Sequence, residues 1–226
     1  MTARTALILA NGDLGDASRL RARLAVRPFD LILAADGGAR HAGPLGLTID
    51  ILIGDMDSIS ESDRSELERR SIRLLGHPAE KDETDLELAL LAARDEGVAL
   101  AVVLGAIGGR LDMTLANLGL LQHPGLRSIS IQLWIGADTA YLLTPPGGEI
   151  QADPGDRVSL LPFGGNARGV TTSGLAFPLA GETLSVGPAR GVSNRVEQRA
   201  PRVELAAGAL LIVHTPAGAL ESTAEL

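Results

Sequence analysis

The chain has 226 residues, no cysteine, a formal net charge of −8 and a pI near 5.0. Disulfides, thiolate catalysis and thiolate metal sites are therefore excluded. No Lys/Arg-rich run is present, which argues against nucleic acid as a partner because phosphate neutralisation needs clustered cations.

Hydrophobic residues make up 45% of the chain but aromatics only 2%, so the core must be built mainly from Leu, Ile, Val and Ala. The four histidines (His41, His77, His123, His214) are scattered, without the pairing that zinc sites use. The apolar stretch at the N-terminus is too short for a signal peptide. No run approaches the roughly 20 apolar residues of a membrane helix. The expectation is a cytoplasmic protein with no membrane partner.

In chain order, apolar runs at 6–10, 30–34, 50–53, 99–104 and 128–135 predict strands, and segments 16–26, 60–70, 84–96 and 110–122 predict helices. Apolar strands alternating with helices predict βαβ units and a mostly parallel sheet buried on both faces. The helix after Thr84 has the clearest pattern, with Leu86, Ala89, Leu90 and Ala93 on one face and Thr84 with Glu87 as a capping box. The rhythm breaks at PPGGE, residues 145–149, which cannot continue a helix. Beyond it, short runs at 157–161, 169–172, 182–186, 195–197, 202–205 and 209–215 are split by Gly and Pro. They predict a small antiparallel sandwich or barrel, with residues 216–226 as a frayed tail. The expected domains are 1–144, of α/β class with a mostly parallel sheet flanked by helices, and 145–226, all-β.

Ligands of open α/β sheets bind outside the carboxyl ends of the strands. The segments expected there are Asn11-Gly12-Asp13, DGGAR at 36–40, GDMDS at 54–58, EKDETD at 80–85 and GAIGGRLD at 105–112. Turn formation and helix capping account for any one of them, and Ser58 with Glu61 reads as a capping box for the next helix. Asp36, Asp55, Asp57, Asp85 and Asp112 on one sheet edge are a different matter. Carboxylates that converge repel one another unless a cation neutralises them, and oxygen ligands without Cys or His suit Mg²⁺ with substrate phosphates. Glycines leading into a helix at GAIGGR add a place for anions, although neither a P-loop nor a GxGxxG fingerprint is present.

In this order the segments resemble the thiamine pyrophosphokinase (thiamine diphosphokinase) family. The matching pieces are DGGAR at 36–40, GDMDS at 54–58, EKDETDLELAL at 80–90, GGRLDMTLANL at 108–118, TSGLAFPL at 172–179 and GVSN at 191–194. The resemblance covers residues 6–215. It implies an α/β domain joined to a β-sandwich, and a homodimer whose active sites are shared between subunits. The implied reaction is Mg²⁺-dependent, ATP + thiamine → AMP + thiamine diphosphate.

Carried over by motif, Asp55, Asp57, Asp85 and Asp112 are the catalytic acids, with Asp55, Asp57 and Asp85 holding metal. Asn11, Asp36, Gly37, Lys81, Asp82, Thr84, Gly108, Gly109 and Arg110 lie on the ATP side. Phe177 would stack on thiamine, and Ser193 and Asn194 would line its pocket. Met113 departs from the family pattern, which often has His there. On pattern alone Phe177 reads as a core residue ahead of a stacking one, GVSN as a turn, and Trp134 and Tyr141 as packing residues. A same-fold pyrophosphokinase acting on a hydroxymethyl pterin is the alternative. A Mg²⁺-dependent phosphohydrolase or nucleotidyltransferase and a non-catalytic binder are further rivals.

Overall fold

The computed structural model describes residues 3–55, 72–78 and 80–220. The expected helix at 60–70, the Ser58–Glu61 capping box and Asp57 lie outside these residues. The chain divides into two compact units, Met1–Gly136 and Ala137–Leu226.

In the first unit the strands are β1 (Arg4–Leu9), β2 (Leu31–Ala35), β3 (Ile51–Gly54), β4 (Arg73–Gly76), β5 (Val98–Leu104) and β6 (Ser130–Ile135). The helices are α1 (Ala17–Ala25), α2 (Ala42–Leu45), α3 (Asp85–Asp95) and α4 (Leu111–Gly119). All strand pairs are parallel, in the order β6-β5-β1-β2-β3-β4. Burial on both faces explains why these strands read as continuous apolar runs: Leu7, Leu9, Ala34, Val102 and Leu104 are fully enclosed.

Helix α3 follows its sequence pattern, with Leu86, Ala89, Leu90 and Ala93 buried. The Thr84 hydroxyl accepts the Glu87 amide at 3.2 Å, while the Glu87 carboxylate lies 3.2 Å from His123. The helix stops at Gly97, whose positive φ of 74° lets its N–H close onto Arg94 O. The predicted helix 110–122 divides into α4 and a 3₁₀ turn at Leu120–Gln122. Trp134 is buried as expected, edge-on to Phe29 and covered by the Arg23 guanidinium 3.9 Å from its centroid.

In the second unit, β14 (Leu210–Thr215) pairs antiparallel with both β7 (Asp138–Leu143) and β9 (Arg157–Pro162), and β12 (Asn194–Arg195) flanks β9. A second antiparallel sheet has the order β11 (Glu182–Leu184), β10 (Ala167–Ser173), β13 (Arg202–Glu204), β8 (Gly147–Glu149). Val158, Leu160, Leu210 and Ile212 from the first sheet meet Val170, Leu184 and Val203 from the second in one core. This is the expected sandwich. The unit boundary falls ahead of the Pro145 break because β7 pairs with β14, Tyr141 opposite Ile212. Tyr141 packs against that core, and burial pushes its hydroxyl up to about 12. Residues Ala217–Leu220 form one helical turn, α5, where a frayed tail was expected.

A buried polar cluster ties this turn down. Asp156 accepts from His214 Nε2 at 2.7 Å, from the Asp153 amide at 2.9 Å and from the Ala217 amide at 2.9 Å. Burial alone would raise the Asp156 carboxyl. The His214 contact and the two amides outweigh it and hold the group below the usual carboxylate range. A depressed folded pKa stabilises the fold above the unfolded value of about 3.9 and is lost as pH falls through the folded value. Asp156→Asn leaves an NH₂ facing a donor, and we expect it to cost about 2–4 kcal/mol in urea denaturation at pH 7. The deficit should narrow as the pH falls below 4. A variant as stable as the parent at pH 7 would rule out this role.

Candidate functional site

The parallel sheet fixes where the site forms. Successive strands β1 to β4 step one way from β1, and β5 and β6 lie on its other side, so the direction of travel switches between β1 and β5. Because all pairs are parallel, the loops after β1, β2, β3, β4 and β5 leave the same edge. The crevice at such a switch is the general ligand position in open α/β sheets.

The loops after β1 and β5 are stitched together there by backbone bonds, Gly12 N–H to Gly105 O and Asp13 N–H to Ile107 O, both 2.8 Å. Gly12 leaves no room for a side chain against the Gly105 and Ile107 carbonyls. Gly108 has φ 96°, a backbone that favours glycine, and it packs onto the Asp13 carboxylate. Gly109 follows, and Arg110 occupies the N-cap of α4 without a side-chain cap bond. The Arg110 guanidinium instead grips Asp112, Nε to Oδ1 3.1 Å and Nη2 to Oδ2 2.5 Å, with both side chains exposed. That hydrogen-bonded pairing holds the Asp112 carboxyl below its ordinary range and raises the arginine. Met113 offers no side-chain hydrogen bond of the kind His would.

After β2 the chain turns at Asp36, which takes a left-handed φ of 43° and opens a 3₁₀ helix, Asp36–His41. Asp tolerates this conformation better than most residues. The β2–β3 register, Ala35 opposite Ile53, brings Asp36 alongside Gly54, where its Oδ1 lies 3.5 Å from the Cβ position of that glycine. Asp55 is the next residue and is half-buried. Gly37 faces the Asn11 side chain.

Two residues with no role assigned from sequence hold this corner. Arg40 donates to the Asn11 side chain, to Asn11 O at 2.8 Å and to Gly12 O at 3.4 Å. His41 is buried and its Nε2 donates to Gly12 O at 2.9 Å. Burial is the main cause that lowers its pKa, which keeps the ring neutral and its tautomer fixed by the carbonyl. The basic pair directly after DGGA is the only sequence signal for these contacts.

Beyond β4, Thr84 caps α3, and Lys81 and Asp85 form an ion pair at 2.6 Å one turn apart, the lysine largely buried. Asp82 is exposed beside them. In the second unit, Phe177 is 70% exposed. Asn194 is buried and meets it: the Phe177 amide donates to Asn194 Oδ1 at 3.0 Å, and Asn194 Nδ2 donates to Phe177 O at 2.7 Å. Ser193 is exposed, has φ 58°, and its amide donates to the Ser159 hydroxyl at 3.0 Å.

The family profile described as "Thiamin pyrophosphokinase, catalytic domain" matches residues 23–135, and "Thiamin pyrophosphokinase, vitamin B1 binding domain" matches residues 149–210. The thiamine pyrophosphokinase of Bacillus subtilis (strain 168) is 32% identical over 164 residues, spanning 72% of this chain and 76% of that protein. The chain belongs to the thiamine pyrophosphokinase family. Solved structures agree in fold. The thiamine pyrophosphokinase structure from Bacillus subtilis aligns with TM-score 0.80 at 24% identity, covering 94% of this chain and 99% of that one. The thiamin pyrophosphokinase structure from Candida albicans aligns with TM-score 0.76 at 17% identity, covering 95% and 89%.

The Mg²⁺ that the resemblance implies can be tested against the residues of this edge. Among the described residues no group of three or more His, Asp or Glu forms a ready metal cluster. The donors that adjoining strand ends do supply, Asp36 and Asp55, are all carboxylate oxygens. That donor type fits Mg²⁺, which takes one or two carboxylates and completes its shell with water and phosphate oxygens.

Proposed function

We propose that the chain transfers the diphosphate group of ATP to the hydroxyl of thiamine, releasing AMP. The observation that carries this is the pair of profile matches, a catalytic domain at 23–135 and a vitamin B1 binding domain at 149–210. The second match favours thiamine over a hydroxymethyl pterin. In this reading the first, α/β unit takes ATP and Mg²⁺, and the second, sandwich unit takes thiamine.

Asp55, Asp57 and Asp85 would hold the cation, which when bound neutralises phosphate charge. Gly37, Gly108 and Gly109 bring backbone close to the phosphates, and Asn11, Asp36, Lys81, Asp82, Thr84 and Arg110 surround the nucleotide. The pairing of Asp112 with Arg110 holds that guanidinium in place. One aspartate, Asp85 or Asp112, would take the thiamine hydroxyl proton. Phe177 offers its exposed face to the thiamine rings, beside Ser193 and Asn194. We extend the proposal to a cytoplasmic homodimer with shared active sites, supported by the family resemblance. No helix among the described residues is long and apolar enough to cross a membrane.

The test is direct. Purified protein with ATP, Mg²⁺ and thiamine should yield AMP and thiamine diphosphate in equal amounts, and EDTA should stop the reaction until Mg²⁺ is restored. Turnover of a hydroxymethyl pterin without turnover of thiamine would overturn the reading.

A further inference from the structure

Phe177 is one of only three phenylalanines in a chain with one Trp and one Tyr, yet 70% of it is exposed. An aromatic ring left in water forfeits the burial that aromatics normally supply. Its loop, by contrast, is firmly fixed. Leu175 bridges to Val196, and the Ala176 amide donates to Arg195 O at 2.9 Å. The Leu179 amide donates to the Thr172 hydroxyl at 2.9 Å. At Phe177 itself a single side chain satisfies both backbone groups, Asn194 Oδ1 accepting from its N–H and Asn194 Nδ2 donating to its C=O.

Only a carboxamide supplies a donor and an acceptor at that spacing. Asp lacks the donor and Leu lacks both. The partners also fix the amide's orientation, since a flipped group would set donor against donor and acceptor against acceptor. Asn194 is 7% exposed and anchored on β12, opposite Val158 of β9. Its polar atoms are spent on the Phe177 peptide and its burial keeps it from the surface where the ring stands.

We propose that Asn194 is a positioning residue: its buried amide clamps the Phe177 backbone so that the ring is presented, preset, to a flat aromatic cation. The inference rests on the thiamine reading and changes Asn194's part in it, from lining the pocket to acting through Phe177. Presetting an exposed ring removes ordering cost from binding, and a face fixed in place suits a cationic heterocycle.

A double-mutant cycle tests this. Phe177→Ala should raise KM for thiamine roughly tenfold, since each tenfold is one modest contact's worth of binding. Asn194→Leu should raise it several-fold, with KM for ATP unmoved. The double variant should be no worse than Phe177→Ala alone, because a clamp with nothing to present has no further effect. Full additivity would assign Asn194 a direct contact and overturn the clamp while leaving the stacking of Phe177 intact. An unchanged thiamine KM in Phe177→Ala would overturn the stacking and the clamp together. A matching rise in the ATP KM of Asn194→Leu would show a general structural loss and also overturn it. Should Asn194→Leu fail to fold, the cycle is run with Asn194→Ala, which removes donor and acceptor together without adding bulk or charge.

Discussion

Asp55→Asn is expected to lower kcat for diphosphate transfer by about 10³-fold, roughly 4 kcal/mol of transition-state stabilisation, with little change in melting temperature. Strand β3 is buried along its whole length and pairs with β2 and β4. Asp55 is the first residue beyond it, so its side chain leaves the sheet where the loops of the site gather. Asn keeps the size of Asp and removes only the charge. Phosphoryl transfer depends on positioning and on neutralising charge, and a cation held by one carboxylate fewer is held loosely. Raising Mg²⁺ should recover part of the rate in this variant and none in the parent at saturation. Asp57→Asn should behave alike. Near-normal turnover in both variants would remove the metal assignment from this loop and leave Asp85 and Asp36 to be examined in its place.

The same β3 shows what a sequence can and cannot disclose. Its apolar run and terminal glycine mark a buried strand, and the strand-end rule places Asp55 at the ligand edge. Parallel register then adds what the linear pattern lacks: Asp36 lies beside Gly54 because Ala35 pairs with Ile53. Strand β4 left no such trace. RLLG is an edge strand with only partial burial, and its short run carries no alternation. The 3₁₀ helix at Asp36–His41 was hidden for another reason, since DGGAR reads as a turn and its order comes from Arg40 and His41 reaching Asn11 and Gly12. Contacts of that kind, side chain to backbone across 29 residues, obey no period. The Asn194 clamp, across 17 residues, belongs with them: GVSN and GLAFPL were visible as motifs, but which atom served which was not.

Gly12→Ala is the severest change expected from a single methyl group. A Cβ there would fall well inside the van der Waals shells of the Gly105 and Ile107 carbonyl oxygens, which are backbone atoms and cannot rotate away. The same two carbonyls accept the Gly12 and Asp13 amides that stitch the β1 loop to the β5 loop. His41 and Arg40 hold Gly12 O from the other side, so the clash cannot be relieved by moving one loop alone. Either the stitches break or both loops part. Overpacking of this kind costs about 1–3 kcal/mol, and lost backbone bonds add about 1 kcal/mol each. The variant should therefore melt well below the parent. Function should fall further than stability, because these loops flank the crevice between β1 and β5, and a displacement of about 1 Å at a reacting site costs about 10²-fold. We expect a higher KM for ATP and a lower kcat at temperatures where the variant is still folded. Gly119→Ala is the matched control: it closes α4 with an ordinary helical φ of −58°, a Cβ there meets nothing within 4 Å, and Ala is the better helix former, so activity should hold and stability should not fall. If Gly12→Ala kept the parent's ATP affinity and melting temperature, the crevice would be more plastic than its backbone bonds imply, and the nucleotide would have to be sought away from the β1–β5 switch.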